Sequence, residues 1–157
     1  MAIHLVRHAK AGVRPGWRGD DEERPLTDAG RTQADVIADL LAGRGVRRVL
    51  TSRYLRCVQT VEPLAARLGV PVEHERALAE EADPHDAWRL VEDLAAKGEE
   101  AVLCSHGNIV SPILDRLHRR GLEVVATEWT CAKGSVWTIE VDDDGEPCRV
   151  VQTLRQA

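Results

Sequence analysis

Two stretches of this chain are apolar at almost every position, Ile3–Val6 (interrupted only by His4) and Ala101–Cys104, and both stop abruptly at polar side chains. Runs of this length without polar alternation mark strands covered on both faces. They predict central strands at 2–7 and 101–105. Shorter runs predict strands at Val46–Thr51, Val70–Glu75, Val136–Val141 and Arg149–Leu154, the last two joined by the turn-rich Asp142–Pro147. Between them the pattern changes to a helical period. Ala34, Ile37, Ala38 and Leu41 mark a helix capped by Thr27 with Asp28 in its first turn, ending near Gly43 or Gly45. Ser52 is the expected cap of a second helix, which runs to Leu68 and closes at Gly69. A third spans 84–97 with Pro84 at its first position. A fourth runs from Asn108 to about Arg120, with Pro112 accommodated in its first turn.

Strands that alternate with helices predict an α/β fold, a three-layer α/β/α sandwich around a mostly parallel sheet. No internal repeat, low-complexity tract or linker interrupts the pattern, so residues 1–157 read as a single domain. Residues 9–26 stand apart as a long irregular loop carrying Gly12, Pro15, Gly16, Gly19, the acidic run Asp20–Glu23 and Pro25. A loop of that length in a small domain is functional or mobile. Trp17, at its middle, reads equally as a lid residue or as a packing anchor.

Composition narrows the class. Hydrophobic residues make up 43% of the 157, aromatics only 3%, and Phe is absent. The core is therefore aliphatic. A net charge of -5 argues against a general nucleic-acid-binding face. It leaves room for a local cationic pocket. The four cysteines show no CxxC spacing, and Cys57 and Cys104 sit in apolar segments, which predicts reduced thiols in a cytoplasmic protein. No signal-peptide pattern and no membrane-length apolar run is apparent. The oligomeric state cannot be read from the chain.

The chemistry concentrates where the two apolar runs end. His8 follows Arg7 at the end of the first strand, and His106 follows Ser105 at the end of the fourth. Ligands of open α/β sheets bind at the carboxyl ends of the strands. Ser105-His106-Gly107 also opens a helix, whose free N–H groups and dipole favour an anion. Arg53 and Arg56 lie three apart at the start of another helix. There their charge opposes the dipole, unless an anion is bound. Two histidines with arginines at such a place point to chemistry on a phosphoryl group. No HExxH motif and no carboxylate cluster with ligand spacing is present, so neither a metal nor another cofactor is expected.

Four segments, in order, resemble the histidine phosphatase superfamily (phosphoglycerate mutase-like). They are Leu5-Val6-Arg7-His8, Pro25-Leu26-Thr27-Asp28-Ala29-Gly30 with Gln33-Ala34, Thr51-Ser52 through Arg56 with Gln59-Thr60, and Val102 to Gly107. Arg7-His8-Ala9-Lys10-Ala11-Gly12, Leu78-Ala79-Glu80-Glu81 and Lys133-Gly134-Ser135-Val136-Trp137 resemble the short SixA-like branch. They are similar to the phosphatase domain that follows a Nudix domain in some actinobacterial MutT-type proteins. No Nudix segment is present, so a free-standing version is expected. The chain departs from the family pattern at Ala9, Lys10, Arg53 and Cys57. Lys10 replaces a common acidic residue and suits a strongly anionic substrate, such as a diphosphate.

The resemblance implies a metal-independent phosphatase in which His8 is the nucleophile and forms a phosphohistidine. It implies that Arg7, Arg56 and His106 hold the non-bridging oxygens, and that Glu80, rather than its neighbour Glu81, donates the proton to the leaving group. Lys10, Arg53, Gly107, Asn108, Lys133 and Ser135 are the expected substrate-side residues, with Gln59 and Thr60 in support. His4 reads as structural, and His74, His85 and His118 as incidental. The partner is either a small phosphorylated substrate such as a nucleoside phosphate, or a phosphohistidine protein. A closed 9–26 loop favours the first, and a wide mouth the second. A catalytically silent phosphate-binding module is the remaining alternative. Neither nucleic acid nor membrane is expected.

Overall fold

A computed structural model describes residues 1–156. Seven strands form one sheet: β1 (Ala2–Arg7), β2 (Arg48–Thr51), β3 (Val72–His74), β4 (Ala101–Ser105), β5 (Glu123–Val125), β6 (Val136–Val141) and β7 (Pro147–Leu154). Their order is β3-β2-β4-β1-β6-β7-β5. The pairs β3·β2, β2·β4, β4·β1 and β7·β5 are parallel, and only β6 runs against its neighbours. Among the described residues, four α-helices cover the sheet: α1 (Asp28–Leu41), α2 (Leu55–Leu68), α3 (Pro84–Lys97) and α4 (Gly107–Arg119). The expected three-layer α/β/α sandwich with a mostly parallel sheet is what the chain adopts.

Alternation along the central strands builds two cores, one on each face. Ile3, Leu5, Leu50 and Leu103 point to the side packed by α3 and α4, including Trp88, Val91, Ile113 and Leu117. Val6, Val49, Val102 and Cys104 point to the other side, against Ile37 and Leu41 of α1 and Val61 and Leu64 of α2. Both faces of β1 and β4 are thus buried, which is why their sequences lack polar alternation. His4 is the exception inside β1. It is 2% exposed and its Nδ1 pairs with Thr138 Oγ1 at 2.8 Å. Its structural reading therefore holds.

Thr27 caps α1 as expected, its side chain accepting from the Gly30 N–H. Gly69 and Gly98 close α2 and α3 in the left-handed conformation. Other expectations need correction. Ser52 does not cap α2. Its N–H pairs with the Cys104 carbonyl at 3.0 Å, so it extends the sheet, and the helix begins only at Leu55 after Tyr54. Strands β2 and β3 are shorter than their apolar runs, because Val46 and Val70 lie outside the ladder. Pro112 falls in the second turn of α4, not the first. Strand β5 has no periodic signal in its three residues and exists only through parallel pairing with β7. Among the described residues, no helix is long and apolar enough to cross a membrane.

Burial pushes the His4 imidazole down to about 4, with Arg44 lowering it further. Its neutral form is therefore the folded form. The unfolded chain takes up a proton near pH 6.5 that the native chain refuses, so stability falls as pH drops below that value. The variant His4→Gln should lose this dependence. Chemical denaturation between pH 6.5 and 5 should give a slope shallower than the parent's by up to about 1.4 kcal/mol per pH unit. An unchanged slope would mean that His4 charges in place.

Candidate active site

Strands β1 and β4 lie side by side in parallel with Arg7 opposite Ser105. The residue after each is therefore delivered to the same point beyond the sheet edge. The His8 N–H donates to the Ser105 carbonyl at 2.9 Å, and the rings of His8 and His106 lie 5.5 Å apart, centroid to centroid. Together they line a cavity of about 670 Å³ with Arg7, Arg14, Arg24, Arg56, Glu80, Gly107, Asn108, Ser111 and Lys133.

The imidazole of His8 is fixed by its own segment. Its Nδ1 lies 2.8 Å from the Ala9 carbonyl, so Nδ1 carries the hydrogen and Nε2 keeps its lone pair. Burial lowers its pKa to about 3. Burial prevails over the hydrogen bond to Ala9, which raises it, and the His106, Arg56 and Arg7 charges add smaller contributions in the direction of burial. The ring is neutral across the physiological range. The loop after β1 is held in turn by Thr60, whose Oγ1 accepts from the Ala9 N–H at 3.0 Å, and by Gln59, whose Oε1 accepts from the Leu26 N–H at 2.9 Å. Gly134 braces the other side, with its N–H against the carbonyls of Arg7 and His8, both at 3.1 Å.

Arg7, Arg24 and Arg56 line the cavity with this ring, and the charges of Arg7 and Arg56 act on it. The Arg7 guanidinium donates from Nη1 to the Cys131 carbonyl at 2.6 Å, and its Nε is buried without a partner. It packs on Gly107 so closely that a Cβ there would stand 3.0 Å from its Cζ. Arg56, in the first turn of α2, is 1% exposed. It donates to Asp21 Oδ2 and Glu80 Oε2, both at 3.1 Å, and to the Asp21 carbonyl at 2.9 Å. Its Nε also lacks a partner. Arg24, buried in the loop, bonds Asp21 Oδ1 at 3.0 Å and the Gly12 carbonyl. Burial would raise the Asp21 carboxyl. The Arg24 hydrogen bond and the charges of Arg56, Arg24 and Arg14 prevail and hold it below the usual range. Lys133 has its pKa lowered by burial and by Arg7, Arg24, Arg56 and Lys10. The pocket is therefore positive beyond what its own carboxylates offset.

His106 caps α4 without a side-chain cap bond. Its Nε2 meets Ser52 Oγ at 2.9 Å, while Nδ1 is buried with no protein partner. Glu80 reaches the cavity from the segment before α3, with Oε1 on Arg14 at 3.0 Å and Oε2 on Arg56. Glu81 faces away, toward Tyr54 and Arg53. The geometry thus separates the two acids that sequence alone leaves adjacent. Asn108 lines the cavity with its amide donating to the Glu80 carbonyl at 2.8 Å, which ties α4 to that segment.

Not every expected residue is there. Arg53 lies outside the cavity, neutralised by Glu22 and Glu81, both at 2.6 Å. The helix begins two residues after it, so Arg53 and Arg56 do not share a helical face. Ser135 is 1% exposed and does not line the cavity; its carbonyl accepts the Arg7 N–H at 3.2 Å, so it supports β1. Lys10 is exposed and does not line the cavity; its charge acts there only by lowering the pKa of Lys133. Trp17 bonds its own loop through the Asp20 carbonyl and is not among the residues that line the cavity. Conversely, Arg14, Asp21 and Arg24 were hidden in the irregular loop, where no periodic signal distinguishes a pocket residue from a solvated one. Among the described residues, no three His, Cys, Asp or Glu side chains converge to hold a metal ion.

Residues 3–82 match the model of the histidine phosphatase superfamily, branch 1. Over 144 residues the chain is 32% identical to an 8-oxo-(d)GTP phosphatase of Mycolicibacterium smegmatis, covering 90% of this chain and 44% of that one. It is 34% identical over 73 residues to the phosphohistidine phosphatase SixA of Escherichia coli, covering 45% of this chain and 44% of the relative. The chain thus spans less than half the length of the first and matches less than half of the second. A solved SixA structure complexed with tungstate superposes with a TM-score of 0.74 at 23% identity, covering 98% of this chain and 97% of that one. A mycobacterial glucosyl-3-phosphoglycerate phosphatase superposes at 0.67 with 17% identity, covering 95% of each chain. These superpositions establish the shared fold.

A methyl group at position 107 would stand 3.0 Å from the Arg7 guanidinium carbon and push that side chain aside by a few tenths of an ångström. Gly107→Ala should keep the fold, since position 107 is the first residue of a helix. It should weaken inorganic phosphate binding, read by calorimetry, by about tenfold or more, in line with the loss of one charged hydrogen bond. Unaltered affinity would show that Arg7 is not held where an anion sits.

Proposed function

Because the chain belongs to the histidine phosphatase superfamily, we propose that it is a metal-independent phosphatase that hydrolyses a small phosphate ester, such as a nucleoside phosphate, through a phosphohistidine on His8. One observation carries the reading: a neutral imidazole with a free Nε2 stands among Arg7, Arg56 and His106 in a cavity with excess positive charge. Residues 1–157 act as one phosphatase domain, supported by two cores that share one sheet. A cytoplasmic setting is part of the proposal, supported by four free cysteines.

In the first step His8 Nε2 attacks phosphorus in line, and the bond to the leaving oxygen breaks. The non-bridging oxygens rest against Arg7, Arg56 and His106, whose N–H groups offset charge in the transition state. An incoming phosphoryl group competes with Glu80 for Arg56. Glu80, still paired with Arg14 through Oε1, takes up a proton from solvent and delivers it to the leaving oxygen. In the second step water attacks the phosphohistidine, Glu80 takes a proton from it, and inorganic phosphate leaves with His8 again neutral. The cationic side chains supply the charge stabilisation for which other phosphatases use metal ions.

The 9–26 loop favours a small substrate. Val13, Arg14 and Pro15 line the cavity, and Arg14 reaches Glu80 across it. The superposition on SixA supports the alternative, a phosphohistidine protein as substrate. Intact Arg7, His8, Arg56 and His106, all at the cavity, count against a silent binding module.

Hydrolysis of p-nitrophenyl phosphate should persist in excess EDTA and vanish in His8→Ala. Strong inhibition by EDTA, or full activity without His8, would sink the mechanism. Glu80→Gln should lower turnover by about 10²-fold on alkyl phosphates and much less on p-nitrophenyl phosphate, whose leaving group needs no proton. Equal losses on both would remove Glu80 from the acid role.

A further inference from the structure

A second, smaller cleft of about 190 Å³ opens beside the phosphate cavity, and Ser111 of α4 lines both. Its walls are Leu114 and Asp115 of α4 and Trp129, Thr130 and Cys131 of the segment leading to β6, with Trp137 beneath. That segment is tied to the phosphate site directly, since the Cys131 carbonyl accepts from Arg7. Thr130 is pinned by the Trp137 indole, which donates to its carbonyl at 3.2 Å.

Trp129 is the unusual residue here. It is 42% exposed in a chain with few aromatics, yet it is held on several sides. Its Nε1 donates to Asp115 Oδ1 at 3.2 Å, and it meets His118 and Trp137 edge to face at 5.2 and 5.3 Å between centroids. A large ring fixed in position and still open to solvent is a stacking platform. Asp115 adds a carboxylate at its edge, which accepts N–H donors and repels phosphate. Distance fits as well. Asp115 lies eight residues along α4 from Gly107, about 12 Å at 1.5 Å per residue. That span accommodates a sugar and a second phosphate between the reacting phosphorus and a base.

We propose that this cleft is the base subsite of the enzyme, with Trp129 stacking a purine and Asp115 accepting from the N–H donors on a guanine-type edge. The proposal rests on the reading of the His8 cavity as a phosphoryl-transfer site. It makes the preferred substrate a guanine nucleoside phosphate, and it gives Trp129 and Asp115 the selection of the base.

Calorimetry with the parent chain and hydrolysis-resistant ligands separates this claim from the one beneath it. The ligands are methylenediphosphonate, guanosine 5′-(α,β-methylene)diphosphate and its adenosine counterpart. The guanosine ligand should bind about tenfold or more tightly than methylenediphosphonate. Trp129→Ala should erase that advantage, and Trp129→Phe, which keeps a ring, should retain most of it. Asp115→Asn should reduce the preference for guanosine over adenosine about tenfold. If methylenediphosphonate binds and the nucleoside adds nothing, or if Trp129→Ala weakens all ligands equally, the base subsite is wrong and the phosphate site stands. If no ligand binds, the phosphate reading fails and the subsite falls with it.

Discussion

The parallel pairing of β1 with β4, with Arg7 opposite Ser105, is the constraint on which the site depends. A slip of one residue would exchange the two faces of a strand, moving Val6 or Cys104 out of one core and Leu5 or Leu103 out of the other. Because both faces are buried, each core forbids the slip. Register fixed by burial is thus what sets His8 and His106 5.5 Å apart. Neither histidine is placed by a loop alone, which gives the pair the rigidity that positioning chemistry requires.

Around this pair the fold assembles more cationic groups than a buried environment tolerates unaided. Arg56 is almost wholly inaccessible, and its charge is met by Asp21 and Glu80. Taking such a charge out of water is expensive, and removal of a partner leaves the cost uncompensated. Two of the arginines still retain a buried Nε with no acceptor. Buried donors of this kind are rare in native proteins, and those of Arg7 and Arg56 belong to side chains that line the cavity. Burial, and after it the same charges, lowers the pKa of His8 and of Lys133. An oxyanion would relieve these strains together, and in doing so it would draw Arg56 away from Glu80.

Much of this was legible beforehand because it depends on local signals. The uninterrupted apolar runs ending in Arg7-His8 and Ser105-His106 announced two covered strands and the edge where they deliver their histidines. Thr27, Gly69 and Pro84 marked helix ends through their own backbone chemistry. What could not be read depends on long-range pairing. Ser52 has the right identity for a helix cap, but the sheet and His106 claim it. Arg53 sits next to a helix start, and only Glu22 and Glu81, brought in from two other segments, show that its charge is spent. Arg24 and Asp21 occupy an acidic, glycine-containing loop indistinguishable by pattern from a solvated one. Trp129 lay in no periodic element at all.

The central claim is that His8 becomes covalently phosphorylated. The most direct test is rapid quenching into alkali of the chain mixed with a ³²P-labelled phosphate ester, followed by peptide mapping. The account predicts a label that appears in the first turnover, is stable to alkali and labile to acid, and maps to His8. Turnover without any labelled intermediate, or a label on another residue, would contradict it.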